Sequence, residues 1–310
     1  MADIYTLGEP LIVFLTDDQD DVRTAKKYSI SVAGAEANVA VAATRLGLDV
    51  VFQTRVGADQ LGDVVLTQLT NEGVAVAHVS RNDAFTGALV RNRGISSPAN
   101  VTYLRKGSAA STMVPADIDE ATLASSKWLH ITGITAAISE SAKSTLLKAV
   151  EIAKSNQVKI SLDLNIRIKL WSDESARDTL AKIANEIDLI IGGVKEFELV
   201  FGSVDPEVNL QSAMSKGVTL AIMTNGEGEM RICDHGNRFN FTPIFRTTID
   251  PVGSGDAFAA GLLSGLIANL PLLDAIKQGS ECGALTASQL GDWPGLPYGT
   301  KGIMTTKGGN

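Results

Sequence analysis

The sequence predicts an α/β fold: a doubly wound, mostly parallel sheet flanked by helices, with a small extra set of strands. Three observations carry that prediction. From about residue 127 onward, short apolar runs alternate with helical stretches. Each run ends in glycine or polar residues. The first hundred residues differ, with strand-like segments and little helix between the last of them. Runs of that length separated by helices argue for parallel strands joined by crossovers.

In chain order, "EPLIVFLT", "YSISVAG" and "TGALVRNR…VTYLRKGS" read as strands. They suggest an antiparallel piece, a small β-lid inserted at about 11–33 and 86–107. Between them "AEANVAVAATRLG" (35–47) is a helix. "KWLHITG" (127–133) begins the parallel set. A helix from about Ser139 to Ser155 leads to "VKISLDLNI" (158–166), and one near Ser175 to Asn185 leads to "IDLIIGG" (187–193). "VTLAIMTNG" (218–226) is the next run. Open α/β sheets bind ligands at such C-terminal strand ends. No repeat or Pro/Gly/Ser linker divides the chain, so one domain over 1–310 is expected, with a frayed tail "TKGIMTTKGGN".

Composition narrows the function. Of 310 residues, 45% are hydrophobic and 20% charged, enough apolar material for a sizeable core. The net charge of −8 leaves no broad basic surface for nucleic acid. A few arginines can still dominate a local cleft and hold a small anion. Cys233 and Cys282 lack metal spacing, and His78, His130 and His235 lie far apart. A histidine metal site and a Ser–His–Asp arrangement are therefore not expected. The start "MADIYTLGEPLIVFL" has no basic n-region, and no apolar run approaches ~20 residues. A cytoplasmic protein without a membrane partner is the expectation.

The stretch that points to chemistry is "DPVGSGDAFAAGLLSGL" (250–266). Gly253, Ser254 and Gly255 form a turn on which a ligand can approach the backbone, and a buried helix follows. The helix start offers unpaired N–H groups and the positive end of a dipole, which together make an anion site. Asp256 falls in the first turn. Aspartate is a favoured cap, so a purely structural role stays open. An anion hole beside a carboxylate is also what phosphoryl transfer to a hydroxyl needs. No Gly-Lys-Ser/Thr follows, so this is not a P-loop.

This stretch resembles the C-terminal signature of the ribokinase-like (PfkB) sugar kinases. "VAGAEANVAVAATRLG" followed by "TRVGADQLGD" resembles their N-terminal signature, more than 200 residues earlier. The resemblance covers nearly the whole chain. It implies a central sheet with a lid over the sugar and transfer of the γ-phosphate of ATP, with Mg²⁺, to a sugar hydroxyl. A monovalent cation is left open. It also implies Asp256 as general base and Gly253, Ser254 and Gly255 as anion hole. A homo-oligomer formed through the lid is a further expectation, since exposed lid strands cover their edges by pairing.

"TLGEPL", "YLRKGSAAS", "LHITGITAAIS", "SLDLNIRIKLWS" and "GDWPGLPY" look closer to the branch that phosphorylates 2-keto-3-deoxygluconate. That resemblance implies transfer to the terminal hydroxyl, giving 2-keto-3-deoxy-6-phosphogluconate. The substrate carries a carboxylate, and arginine offers it a planar fork of donors. By the resemblance Arg105 and Arg167 bind that carboxylate. Gly34 and Asn38 contact sugar oxygens, Tyr103 lies against the sugar, and Asn165 faces the transfer region. Thr224 and Gly226 begin the ATP side.

There are departures. "GGVKE" keeps Glu196 but has Gly193 where the family carries Asn, so Glu196 is the remaining metal-network candidate, acting through water. "NGEGEM" puts a glycine at Gly228 and leaves Glu229 at the expected glycine place. Leu89 stands where the branch shows an aromatic. A kinase of a neutral sugar (fructokinase or ribokinase type) or of a nucleoside therefore stays open, as does a non-catalytic binder. A dinucleotide oxidoreductase does not, because no G-x-G-x-x-G turn follows the first strand.

Overall fold

Strands and helices alternate through most of the chain in the computed structural model, which describes residues 1–94 and 100–304. Of the tail 300–310, expected to fray, Thr300 and Ile303–Met304 instead belong to a short antiparallel ladder closed by backbone hydrogen bonds, and 305–310 lie outside the described residues. The fold divides into two units, Met1–Leu7 with Val114–Pro243 and Gly8–Met113 with Ile244–Asn310.

The chain opens with β1 (Ile4–Leu7), β2 (Leu11–Thr16), β3 (Tyr28–Ala33), α1 (Ala35–Arg45), β4 (Val50–Gly57), α2 (Gln60–Asn71) and β5 (Val79–Asn82). β6 (Ala88–Arg91) and β7 (Val101–Leu104) follow. Next come α3 (Glu120–Ala124), β8 (Trp128–Thr132), α4 (Gly133–Ile138), α5 (Glu140–Ser155), β9 (Lys159–Asp163), α6 (Asp173–Ile183) and β10 (Leu189–Gly193). Then α7 (Val194–Phe201), α8 (Pro206–Ser215), β11 (Leu220–Asn225), β12 (Gly228–Asp234) and β13 (Asn237–Phe241). The last elements are α9 (Ser254–Ile267), α10 (Leu272–Ala287) and the short β14 (Gly299–Thr300) and β15 (Ile303–Met304).

In the first unit seven strands run in the order β13-β12-β11-β10-β9-β8-β1. From β1 to β11 neighbours are parallel, and β12 and β13 turn back antiparallel. Helices connect the parallel strands, as such pairing demands. Side-chain caps set the helix starts. Ser139 accepts from the Ala142 N–H at 2.9 Å and Ser172 from the Ser175 N–H at 3.2 Å. The second cap starts α6 at Asp173, two residues ahead of the helix expected from Ser175. β8 is buried throughout, and β9 apart from Lys159, as befits strands covered on both faces.

In the second unit β3-β2-β6-β7 form a four-stranded sheet, and β4 pairs parallel with β5. Its strands fall in the two inserted spans expected of a lid. They are not all antiparallel as expected, because β2 and β6 run parallel. The reason lies in the connection: α1, β4, α2 and β5 intervene, enough chain to return β6 in the direction of β2. One face of the sheet carries Leu11, Val13, Leu15, Ala33 and Leu89, with Val101, Tyr103 and Leu290 packed against them.

α9 is held against α10 by close backbone approach. A Cβ at Gly279 would lie 2.7 Å from the Phe258 carbonyl oxygen, and one at Gly283 would lie 2.9 Å from that of Ser254. Glycine at both positions fixes where the first turn of α9 sits. α1, rich in alanine and buried over Ala35–Ala43, packs on α9 as well. Among the described residues no helix is long and apolar enough to cross a membrane.

His130 in β8 is wholly buried and its Nδ1 lies 2.7 Å from Ser161 Oγ. Burial pushes its pKa down to about 4, so the folded ring is neutral. The unfolded chain takes up that proton below ~6.5, the folded chain only near 4, so this contribution to stability is lost as pH falls through that window. The stability advantage of wild type over His130→Asn should therefore narrow by about 2 kcal/mol between pH 7.5 and 5 in urea denaturation. A constant difference would mean that the buried ring does not titrate as described.

Candidate active site

Gly253 takes a left-handed conformation (φ 78°) and caps α9, which begins at Ser254. Asp256 is thus the third helical residue, not the cap. Its carboxylate is turned elsewhere, and Oδ2 accepts from Asn38 Nδ2 at 2.7 Å. The first N–H groups of the helix lie on the Gly253–Ser254–Gly255 turn, without intrahelical acceptors. The carboxylate of Asp250 braces that turn. It accepts from the N–H of Val252 at 3.3 Å and of Gly291 at 3.0 Å, and pairs with Arg91 Nη2 at 2.5 Å. Both ends of the pair are almost fully buried. Arg91 Nε and Nη1 find no protein acceptor, so this is a cation desolvated beneath the turn. Arg91 ends β6 two residues after Leu89, on the same face of the strand, opposite Leu15.

Asn38, in α1, joins the base to the loop after Gly291. Its Nδ2 donates to Asp256 and, at 3.0 Å, to Asp292 Oδ1, while its Oδ1 accepts from Trp293 Nε1 at 2.8 Å. The expected contact between Asn38 and a sugar oxygen is not what this geometry favours, since both amide hydrogens are committed to carboxylates. Arg45, two turns along α1, latches the same loop by donating Nη1 to the carbonyls of Trp293 at 2.8 Å and Leu296 at 3.0 Å. Glu72 receives its Nε and Nη2 at 2.6 and 2.8 Å. Burial pushes the Asp292 carboxyl up to about 6, with the Asp250 charge adding to it. The Asn38 hydrogen bond and the Arg91 charge pull the other way.

A second buried cluster surrounds Glu9, between β1 and β2. Glu9 Oε2 pairs with Arg105 Nη2 at 2.5 Å and accepts from Arg105 Nε at 2.7 Å, and Ser108 Oγ donates to Oε1. Burial raises the Glu9 carboxyl, while Arg105 and Ser108 pull it back. Gly34 caps α1 at φ 126°, where a side chain would run into the Glu9 carbonyl. Only glycine fits there. Arg105 Cζ sits 5.4 Å from the centroid of the half-buried Tyr103 ring, and Tyr103 pairs across strands with Leu89. The second unit thus brings Gly34, Asn38, Tyr103, Arg105 and Asp256 into two clusters on shared elements. Glu9, Arg91, Asp250, Asp292 and Trp293 were not singled out as site residues. Their one signal is a place within a quoted phrase, which for Arg91 is the strand segment "TGALVRNR".

The other expected residues lie in the first unit, at the C-terminal ends of adjacent parallel strands. Asn165 follows β9, buried, with φ 37° and Nδ2 3.4 Å from Asp163 Oδ2. Arg167, two residues on, is exposed. Glu196 lies in the first turn of α7. Its Oε2 accepts from the Gly193 N–H at 2.6 Å and its Oε1 from the Ile166 N–H at 2.7 Å, tying two strand ends together. Each oxygen thus accepts one backbone N–H, as a helix-start glutamate does, and keeps acceptor capacity for water. Thr224 Oγ1 donates to the Gly192 carbonyl at 3.2 Å, and Gly226 (φ 57°) turns the exposed chain into β12.

The family model of the pfkB family carbohydrate kinases matches residues 1–297. The 2-dehydro-3-deoxygluconokinase of Bacillus subtilis (strain 168) is 33% identical over 300 residues, 95% of this chain and 92% of that one. The crystal structure of a PfkB protein from Polaromonas sp. JS666 superposes with TM-score 0.88 at 31% identity, covering 97% of this chain and 98% of that one. The 2-dehydro-3-deoxygluconokinase of Thermotoga maritima superposes with TM-score 0.83 at 25% identity, covering 93% of each chain. The chain belongs to the pfkB family of carbohydrate kinases and has their ribokinase-like fold.

Removing one partner of a buried ion pair strands the other charge. Glu9→Ala should destabilise the protein by about 3 kcal/mol in chemical denaturation, and Glu9→Gln by clearly less, because it keeps an acceptor for Arg105. A loss below about 1 kcal/mol for Glu9→Ala would show that Arg105 escapes to solvent.

Proposed function

Taking membership of that family as the premise, we propose that this chain is an ATP-dependent kinase of 2-keto-3-deoxygluconate. It transfers the γ-phosphoryl group to the terminal hydroxyl. The observation that carries the reading is the start of α9, where a carboxylate held at 2.7 Å by Asn38 stands beside a glycine turn rich in N–H groups. The hydroxyl oxygen attacks the γ-phosphorus, the bond to the bridging oxygen breaks, and ADP leaves. The hydroxyl proton passes to Asp256. The N–H groups of Gly253, Ser254 and Gly255 are assigned to the charge that spreads over the phosphoryl oxygens, that of Ser254 at the expense of its 3.3 Å bond to the Pro251 carbonyl.

The identity with the Bacillus enzyme supports the sugar-acid substrate. So does the shape of Arg105. Glu9 takes the Nε–Nη2 side of its fork and leaves the Nη1 end for a second carboxylate. Arg167 is assigned to the same carboxylate, Asn165 to the transfer region, and Thr224 and Gly226 to ATP. For Mg²⁺, no group of three or more metal-ligating side chains is present among the described residues, and Glu196 reaches outward only with the lone pairs its two backbone bonds leave. The residues present do not build a protein-only metal site, and no step here is routed through one. The resemblance leaves a monovalent cation open, and nothing in the donor sets above selects one.

One observation favours a second reading. The Glu9–Arg105 pair is neutral, which suits a neutral sugar such as fructose. ADP release across a panel of acidic and neutral sugars decides between the two, and turnover confined to neutral sugars would overturn the first. Arg105→Ala and Arg167→Ala should raise KM for the acid far more than for fructose. Asp256→Asn should lower kcat by about 10²–10⁴-fold without unfolding the protein; near wild-type turnover would remove the base assignment.

Assembly through the lid sheet belongs to the same proposal. Its other face leaves Ile30 and Leu104 about half exposed, at 49% and 51%, an apolar surface suited to a second copy. Light scattering should find a dimer or larger species that Ile30→Lys with Leu104→Lys dissociates. A monomeric wild type would end that part.

A further inference from the structure

We propose that Asp292 is a positioning residue for the Asp256 carboxylate, acting through the side-chain amide of Asn38. The inference rests on the reading of Asp256 as the base. An amide nitrogen has two hydrogens, and here they go to two different carboxylates, Asp256 Oδ2 at 2.7 Å and Asp292 Oδ1 at 3.0 Å. The orientation is not arbitrary. Turning the amide over would set its oxygen against both carboxylates and its NH₂ against the Trp293 N–H, which at present donates to Oδ1 at 2.8 Å. Asn38, Asp256, Asp292 and Trp293 are all buried, so water does not readily replace any of these bonds. Asp292 and Trp293 together therefore fix the rotation of Asn38, and Asn38 fixes one oxygen of Asp256.

The same bridge couples the two carboxylates electrically. The groups that act on Asp292 are Asn38 on α1, Arg91 on β6 and Asp250 in the turn before α9, and Asp256 on α9 shares its Asn38 donor. Arg91 pairs with Asp250 at 2.5 Å, while Asp292 and Asp256 accept from one and the same amide nitrogen, so the charge of each is felt by the other. A negative neighbour favours the protonated form of Asp256 and so makes it a stronger base. Burial pushes Asp292 up to about 6, so it gains its own charge within the range where activity is measured.

The experiment is the pH profile of kcat and kcat/KM, from about pH 5 to 9, for wild type, Asp292→Asn and Asp292→Ala. Asp292→Asn keeps an oxygen to accept from Asn38 and loses the charge. It should hold kcat within about threefold at pH 8 and move the acid limb of the profile to lower pH by about half a unit or more. Asp292→Ala removes the acceptor and unlocks Asn38. It should lower kcat by about 10- to 100-fold while the KM for ATP stays within about twofold. A residue that merely supports the fold would lower melting temperature without moving the limb or separating kcat from KM. If Asp292→Ala does not fold, the limb of Asp292→Asn still decides. An unmoved limb together with unchanged kcat in a folded Asp292→Ala overturns the proposal. Asp256→Asn, run alongside, separates the two failures. If it loses turnover while both Asp292 variants behave as wild type, only the positioning role has failed. If it keeps turnover, the base reading itself has failed.

Discussion

The amide of Asn38 is the contact on which the candidate site depends. One planar group, whose orientation an indole N–H settles, holds two buried carboxylates at 2.7 and 3.0 Å. Without it, Asp256 and Asp292 would face each other as uncompensated like charges in a region of low dielectric. With it, α1, α9 and the 291–293 loop share one hydrogen-bond network, so the direction of the Asp256 side chain is set by a residue 218 positions away in the chain.

Charge in the second unit is arranged in neutral pairs buried close to chemistry. Arg91 with Asp250 sits under the glycine turn, and Arg105 with Glu9 sits beneath the Tyr103 ring. Such pairs add little net stability, because desolvation offsets attraction. What they provide is geometry. Asp250 ties Val252 to Gly291, and Glu9 ties Arg105 and Ser108 to the start of β2.

Most of the fold was legible because its signals are local. Runs such as "LIIGG" and caps such as Ser139 are properties of a few neighbouring residues, and the parallel set followed from them. The direction of β6 was not legible, since pairing with β2 is decided by the path of the intervening chain. At the site, the glycine turn and Asp256 stood out by composition. Asn38 stood out too, although as a sugar ligand, because its partners lie at 256, 292 and 293 and no spacing records them. Arg91 was silent for the same reason. An arginine closing a short strand reads as a surface residue until Asp250 is folded against it.

The seam between α9 and α10 bears on how such a site can be altered. Gly279 and Gly283 admit the backbone of α9 at distances that any larger residue would break. The helix that carries the base is thus anchored along its length by main chain, with no adjustable side chain at those positions. Redesign for another sugar has little freedom on α9 and more on β7, where Tyr103 is half-buried on the face shared with Leu89. The glycine seam makes the chemical step the rigid part of the protein and leaves substrate choice to the strands around it.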